Sequence, residues 1–411
     1  MRFPIPRGVI IFLGGIVILL IVILGLRFFL STGSSETTGN IPNTLFSALF
    51  PFGNAAPARL SDQASVSASS TPSGPVPVLR EVSPEPVAGA WFSPNPASTS
   101  TPLIRFMDRA SGNIIATPAD SYAEVRISNT TFPGVEELYA TTGSLIVFRT
   151  FSGGQVQNLY ASMSATSSEQ FLNAAPLRSF DRLAVAGGSL LTVTEIPGGS
   201  RTELAKADGS QPQIIFASPV ASWVPLLGGG RAFLETAPTA SALGYLYEIK
   251  KSALSKISGG FPGFMAIVSP SGRYIAESWN GGGGFRLAII DTETGVTSTE
   301  AIGTLATKCA WIPNHEPLLF CAVPKNPAAG AYPDDWLLGK TSFSDDAWVM
   351  NPETKTGYFI GTLADRNGVA LDAENISIDS AGSYAIFMNR RDLSLWSLKI
   401  AETVARAAKT R

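Results

Sequence analysis

Histidine is almost missing from this sequence: among 411 residues one is histidine and two are cysteine. Ser–His–Asp and Cys–His chemistry needs an imidazole base held in place by a third group, which leaves His315 as its sole candidate. That residue stands in "TKCAWIPNHEPLLFCAV" (307–323), midway between Cys309 and Cys321. No C-x-x-C, H-E-x-x-H, G-x-S-x-G or P-loop pattern occurs. The glycine run "WNGGGGF" (279–285) joins two expected strands and opens no helix, so it reads as a flexible loop, not a phosphate cradle. No catalytic residue, metal ligand set or cofactor is assigned on these grounds. Charge is scarce as well, 15% of residues with a net of −2, and no basic stretch carries interleaved aromatics. Nucleic-acid binding, which leaves a basic footprint, is therefore not expected. Low charge with 45% apolar residues is the reverse of a disordered composition.

What the sequence does hold begins at its start. Gly8 to Leu26, "GVIIFLGGIVILLIVILGL", runs 19 residues without a charge. At about 1.5 Å per residue it nearly spans the roughly 30 Å hydrocarbon core of a bilayer. It exceeds the apolar region of a cleaved signal peptide, and "RFFLSTG" makes a poor cleavage site. The segment 8–30 is read as a transmembrane signal anchor after a short cytoplasmic N-terminus (1–7). Arg2 and Arg7 precede the span against Arg27 behind it, a bias that places the rest of the chain outside the cytoplasm. Residues 31–78 are rich in Ser, Thr, Pro and Gly and read as a flexible spacer. Inside it "TLFSALFPFG" (44–53) carries apolar side chains at 45–52 whose destination stays open: the folded domain, the membrane surface or a partner.

From 79 to 404 the pattern is all-β, with short apolar runs between Gly, Pro, Asn and Asp turns. One unit recurs, an apolar strand, a glycine turn and a second apolar strand, as in "LAVAGGSLLTV", "VPLLGGGRAFL" and "IVSPSGRYIA". Its marker positions 143, 188, 230, 272, 316 and 382 lie 45, 42, 42, 44 and 66 apart, with Glu316 in one glycine's place. One step before the first marker, "AGAWF" and "PLIRF" (102–106) supply another copy. Second hairpins such as "FRLAIIDTETGVTSTE" (285–300) complete four strands per unit of 40-odd residues. That period is the signature of a propeller blade, whereas a β-sandwich does not require it. The expectation is a β-propeller of seven four-stranded antiparallel blades, with 405–411 as a tail. "SPSGRYIAES" (269–278) and "LAIIDTETG" (287–295) resemble the repeat of TolB-like (WD-like) propellers, with Ser271 at the family's usual Asp. The resemblance implies a fold, and a cell-envelope setting, without implying an activity.

The functional candidates lie on loops. The longest insertion, "PKNPAAGAYPDDWLLGKTSFSDD" (324–346), falls between the second and third strands of blade six, and 364–375 leads into blade seven. Such loops emerge on one face of a propeller, which groups Trp279, Tyr332, Asp334, Asp335, Trp336, Arg390 and Arg391 over three adjacent blades. Aromatic residues and Arg are the usual anchors of interaction sites. The other reading has Trp336, Leu337 and Leu338 folding back to cover the channel or a blade edge. Asp334/Asp335 and Asp345/Asp346 lack the alternation of a calcium loop and read as solvated loop acids. Function is read as non-enzymatic binding of a protein or a cell-envelope glycan. The alternative is a carboxylate-dependent hydrolase or lyase acting on carbohydrate, sought first at Asp365, Asp372 and Glu374. Cys309 and Cys321 would face each other across the blade-six hairpin if its turn is odd in length, within disulfide reach. A bridge suits an oxidising exterior and two reduced thiols a cytoplasmic domain.

Overall fold

The computed structural model describes residues 75–140, 145–163 and 172–409. Their strands form seven four-stranded antiparallel sheets, the blades of a propeller. The first six blades span 87–126, 135–176, 182–218, 223–262, 265–299 and 309–362, each from consecutive strands. The seventh takes Ala373–Ile378, Tyr384–Asn389 and Leu395–Lys399, completed on the outside by Leu79–Ser83 from the start of the fold. In that join Leu79 lies opposite Leu398, Arg80 opposite Ser397 and Glu81 opposite Trp396. The first and last strands of the ring are thus held by backbone hydrogen bonds. The expected all-β fold with seven blades holds. The span 8–30, the spacer as far as residue 74 and "TLFSALFPFG" lie outside the described residues. Among those described, no helix is long and apolar enough to cross a membrane.

The recurring glycines serve the turn between the first and second strands of a blade. Gly188, Gly230, Gly272 and Gly382 have φ of +78°, +72°, +76° and +66°, a region costly for residues with a Cβ. Blade six does without this glycine because Asn314 takes the positive φ, +60°. Glu316 is thereby free to reach the neighbouring blade, where it accepts the Ser271 N–H at 3.1 Å and bonds the Ser271 hydroxyl. Two expectations change. "WNGGGGF" is no flexible loop, since Gly281 pairs with Gly284 around a tight two-residue turn at Gly282 and Gly283. The C-terminal residues form a helix, Ala401–Ala408, with Val404 and Ala407 buried. Eight residues are too few for a helical period to stand out against the strand pattern.

Apolar faces of adjacent blades make the core, as Phe233, Leu246, Phe264, Ala266 and Ile275 do between blades four and five. That seam also buries two acids. Glu235 accepts the Ala266 N–H at 3.0 Å through one oxygen, and its other oxygen has no partner. Glu277 bonds Ser258 and likewise keeps one orphaned oxygen. Loss of hydration pushes Glu235 well above the ordinary carboxylate range and raises Glu277 too. A carboxyl raised on folding binds more protons in the native than in the unfolded state. Its contribution is therefore full below the unfolded value near 4.5 and is lost as the pH rises. Glu235→Gln, which removes the ionisation, is expected to raise Tm at pH 7.5 by about 2–4 °C, with the gain shrinking towards pH 5. Paired thermal melts at the two pH values check the sign.

Candidate binding face

Residues 325–344 join the strands Leu319–Pro324 and Asp345–Asn351 of blade six. They fold back over the blade ends as a lid. Tyr332 and Trp336 are buried with Phe343, Met265, Leu305 and Ala306, and Phe285 packs against them. The Trp336 and Phe343 rings stack at 6.1 Å, and Tyr332 meets Phe285 edge-on at 5.2 Å. Of the two readings of this insertion, the aromatic side chains follow the one in which they turn inward. Leu337 and Leu338 point the other way, 42% and 67% exposed.

The lid, inserted in blade six, is fastened to three other blades. Asp334 accepts the Thr239 hydroxyl at 3.0 Å and the Ala240 N–H at 2.6 Å, both from blade four. Asn280 of blade five donates to the Tyr332 carbonyl. Asp335 stays within the lid, accepting the Ala331 N–H at 2.8 Å. From blade seven, the Arg390 guanidinium lies 4.6 Å over the Trp336 ring and donates to the Trp336 and Leu337 carbonyls. Arg391 donates to the Phe343 carbonyl at 3.0 Å. Six of the seven residues singled out from sequence therefore build one lid and its clasps. Trp279 stands beside it, stacked on Phe261 at 4.6 Å.

Beneath the lid lies a group the sequence reading missed. Lys308, fully buried, donates to Asp345 at 2.9 Å, Asp372 at 2.6 Å and the Ala373 carbonyl at 2.8 Å. The Trp336 and Phe343 rings roof its ammonium at 5.0 and 5.3 Å. Asp372 also accepts the Trp336 indole N–H and the Phe343 N–H, which latches the lid. Burial pushes Asp345 up to about 6, against the pull of Lys308 and of the Ala373 N–H. The reading of Asp345 as a solvated loop acid is thus corrected. It opens a strand in which Asp345, Ala347 and Val349 alternate inward, and that period of two was there to be read. Lys308 follows no pattern of its own.

The site's chemistry follows from these partners. All three ammonium hydrogens of Lys308 have acceptors and no solvent reaches it, so it acts as a latch with no path to a substrate. The acids proposed for carbohydrate cleavage are each engaged. Asp372 holds Lys308 and the lid, Glu374 pairs with Arg390, and Asp365 closes its own loop on the Asn367 and Val369 N–H groups. Among the described residues, no three His, Cys, Asp or Glu side chains converge as a metal site requires. Cys309 and Cys321 lie directly opposite in register, 4.1 Å apart at Cα, and their sulfurs are bonded. His315 caps the far end of that hairpin, on the face away from the lid, where its backbone closes the turn with Ile312 and Leu318.

No protein-family model and no curated protein matches the sequence. Among solved structures the chain is similar to an oligogalacturonate lyase in complex with manganese (TM-score 0.54, 9% identity, covering 80% of this chain and 94% of that one). It is also similar to the β-propeller domain of the Trilobed protease from Pyrococcus furiosus (0.47, 10%, 75% and 95%). A third similarity is to TolB from Acinetobacter baumannii (0.40, 14%, 65% and 62%). The matched region spans 62% of the length of that TolB chain. At these identities the likeness shows the propeller fold alone, shared by scaffolds, lyases and peptidases.

Removing Lys308 leaves two carboxylates buried without a cation, which costs about 3–5 kcal/mol. Asp345→Asn instead leaves one cation facing one anion and can keep the Ala373 bond, so it is expected to cost far less. Denaturant unfolding of Lys308→Met and Asp345→Asn checks the order. An equal loss from both would contradict the charge balance.

Proposed function

We propose that this chain is a non-enzymatic binding scaffold, anchored in a membrane through residues 8–30. In this reading the propeller lies on the extracytoplasmic side and presents the lidded face to a protein or glycan of the cell envelope. The observation that carries the binding role is the lid itself. It closes the face where loops would shape an active site, ties up Asp372 and Glu374, and turns Leu337 and Leu338 outward. Other apolar side chains stand exposed at the hairpins and connections of the same face, among them Phe151, Ile196, Val220, Leu243 and Val369. Exposed apolar groups gathered on one side mark an interaction surface, and loops held by a rigid scaffold commonly carry function. The anchor rests on the uncharged run from Gly8 to Leu26 and on the arginines before it. The placement outside the cytoplasm draws on the Cys309–Cys321 bridge, a bond that persists in oxidising compartments.

Two measurements follow. Full-length protein in detergent, used as bait, is expected to retain its envelope partner. The Leu337→Ser/Leu338→Ser variant is expected to lose that partner while keeping its melting temperature. Equal capture by both would remove the lid tip from the interface. Alkylation during denaturing lysis without reductant, followed by mass spectrometry, is expected to find no free thiol at Cys309 or Cys321. Two labelled thiols would contradict the extracytoplasmic placement.

A further inference from the structure

We propose that Trp279 and Arg286 form a subsite for an acidic sugar residue at the rim of the lidded face. The two lie directly opposite in the ladder between Tyr274–Gly281 and Gly284–Asp291. Their side chains therefore share one side of the sheet, about 5 Å apart at Cβ. Trp279 is half-buried, one face resting on Phe261 at 4.6 Å with the planes 20° apart. That support fixes the ring, which stays partly open to solvent. Its indole N–H meets no acceptor among the described residues.

Arg286 is exposed and makes no ion pair or hydrogen bond among the described residues. Other arginines of these blades do otherwise: Arg231 pairs with Glu248, Arg273 with Asp291 and Arg390 with Glu374. The glycines around it point to the same use. Gly282 and Gly283 have positive φ and are required by the turn. Gly281 and Gly284 do not, and a Cβ on Gly284 would meet nothing. A side chain on Gly281 would begin 3.4 Å from the Trp279 indole nitrogen and 3.1 Å from Arg286 Cγ. Its absence keeps both groups open.

A supported indole face fits the apolar C–H face of a pyranose ring, and its N–H can donate to a ring hydroxyl. A guanidinium without a partner binds a carboxylate through two parallel hydrogen bonds. A carboxylate borne on the sugar ring satisfies both at the spacing of a cross-strand pair. A phosphate would call for more donors than one guanidinium supplies. The subsite rests on the reading of this face as a binding surface and gives its glycan partner a chemical class.

The test is saturation-transfer NMR and calorimetry on the full-length protein with three probes. These are a glucuronate-containing tetrasaccharide, a neutral chitotetraose and a tetraglutamate peptide. The acidic sugar is expected to bind at least tenfold more tightly than the neutral one, and the peptide not to bind. Arg286→Gln, at an exposed site, is expected to keep its melting temperature and to lose that tenfold preference. Trp279→Ala is expected to lose both sugars. No binding of the acidic sugar, an unchanged preference in Arg286→Gln, or equal binding of the peptide would each overturn the subsite. If the acidic sugar fails while Leu337→Ser/Leu338→Ser still abolishes partner capture, the subsite falls and the binding face stands.

Discussion

One buried ammonium organises the face on which the functional reading turns. Lys308 stands just before the inner strand of blade six, Asp345 opens that blade's third strand, and Asp372 precedes the inner strand of blade seven. A charge in such surroundings persists only when paired and hydrogen-bonded. The three side chains therefore hold two blades in one register. Asp372 extends the constraint upward to the Trp336 indole and the Phe343 backbone, so the lid sits where the cation puts it. The Cys309–Cys321 bridge begins one residue beyond Lys308 and ties the inner strand of the blade to the second. Latch and bridge together fix one edge of the ring, and the pairing of Leu79–Ser83 with Leu395–Lys399 joins its ends.

The architecture was legible because a propeller repeats its constraints. Blades three to seven each place a residue at positive φ between their first two strands, and Gly188, Gly230, Gly272 and Gly382 mark four of those turns. Where blade six departs from the rule, Asn314 takes the strained position. The strand Leu79–Ser83 reads as a strand, but its partner lies more than 300 residues away, a pairing that local periodicity does not encode. The site divides in the same manner. Loop topology brought Tyr332, Trp336, Arg390 and Arg391 to one face. It did not say which way the rings turn, because that depends on Met265, Leu305 and Phe343 offering an apolar bed. Lys308 was invisible, since a single lysine before a strand resembles any solvated one until both its acids are in place.

The lidded face combines a fixed core with exposed side chains around it. Rings and charges are drawn inward, while Leu337, Leu338 and the Trp279–Arg286 pair remain outward. Under the proposed binding role, such an arrangement suits docking onto a preformed surface. Affinity then costs little ordering of the chain, since the lid is already held. It also separates two tasks: the latch keeps the shape, and exposed residues can differ without loosening it.

The claim that the lid is a fixed part of the fold is tested most directly by hydrogen exchange in the full-length protein. The Leu337, Leu338, Gly339, Lys340 and Phe343 amides each donate to an oxygen inside the lid or its latch. They are expected to exchange as slowly as neighbouring blade strands in the wild type. In Lys308→Met the same amides are expected to speed up more than those of blades one to four. Exchange of these amides at the rate of an unstructured peptide in the wild type would contradict the account.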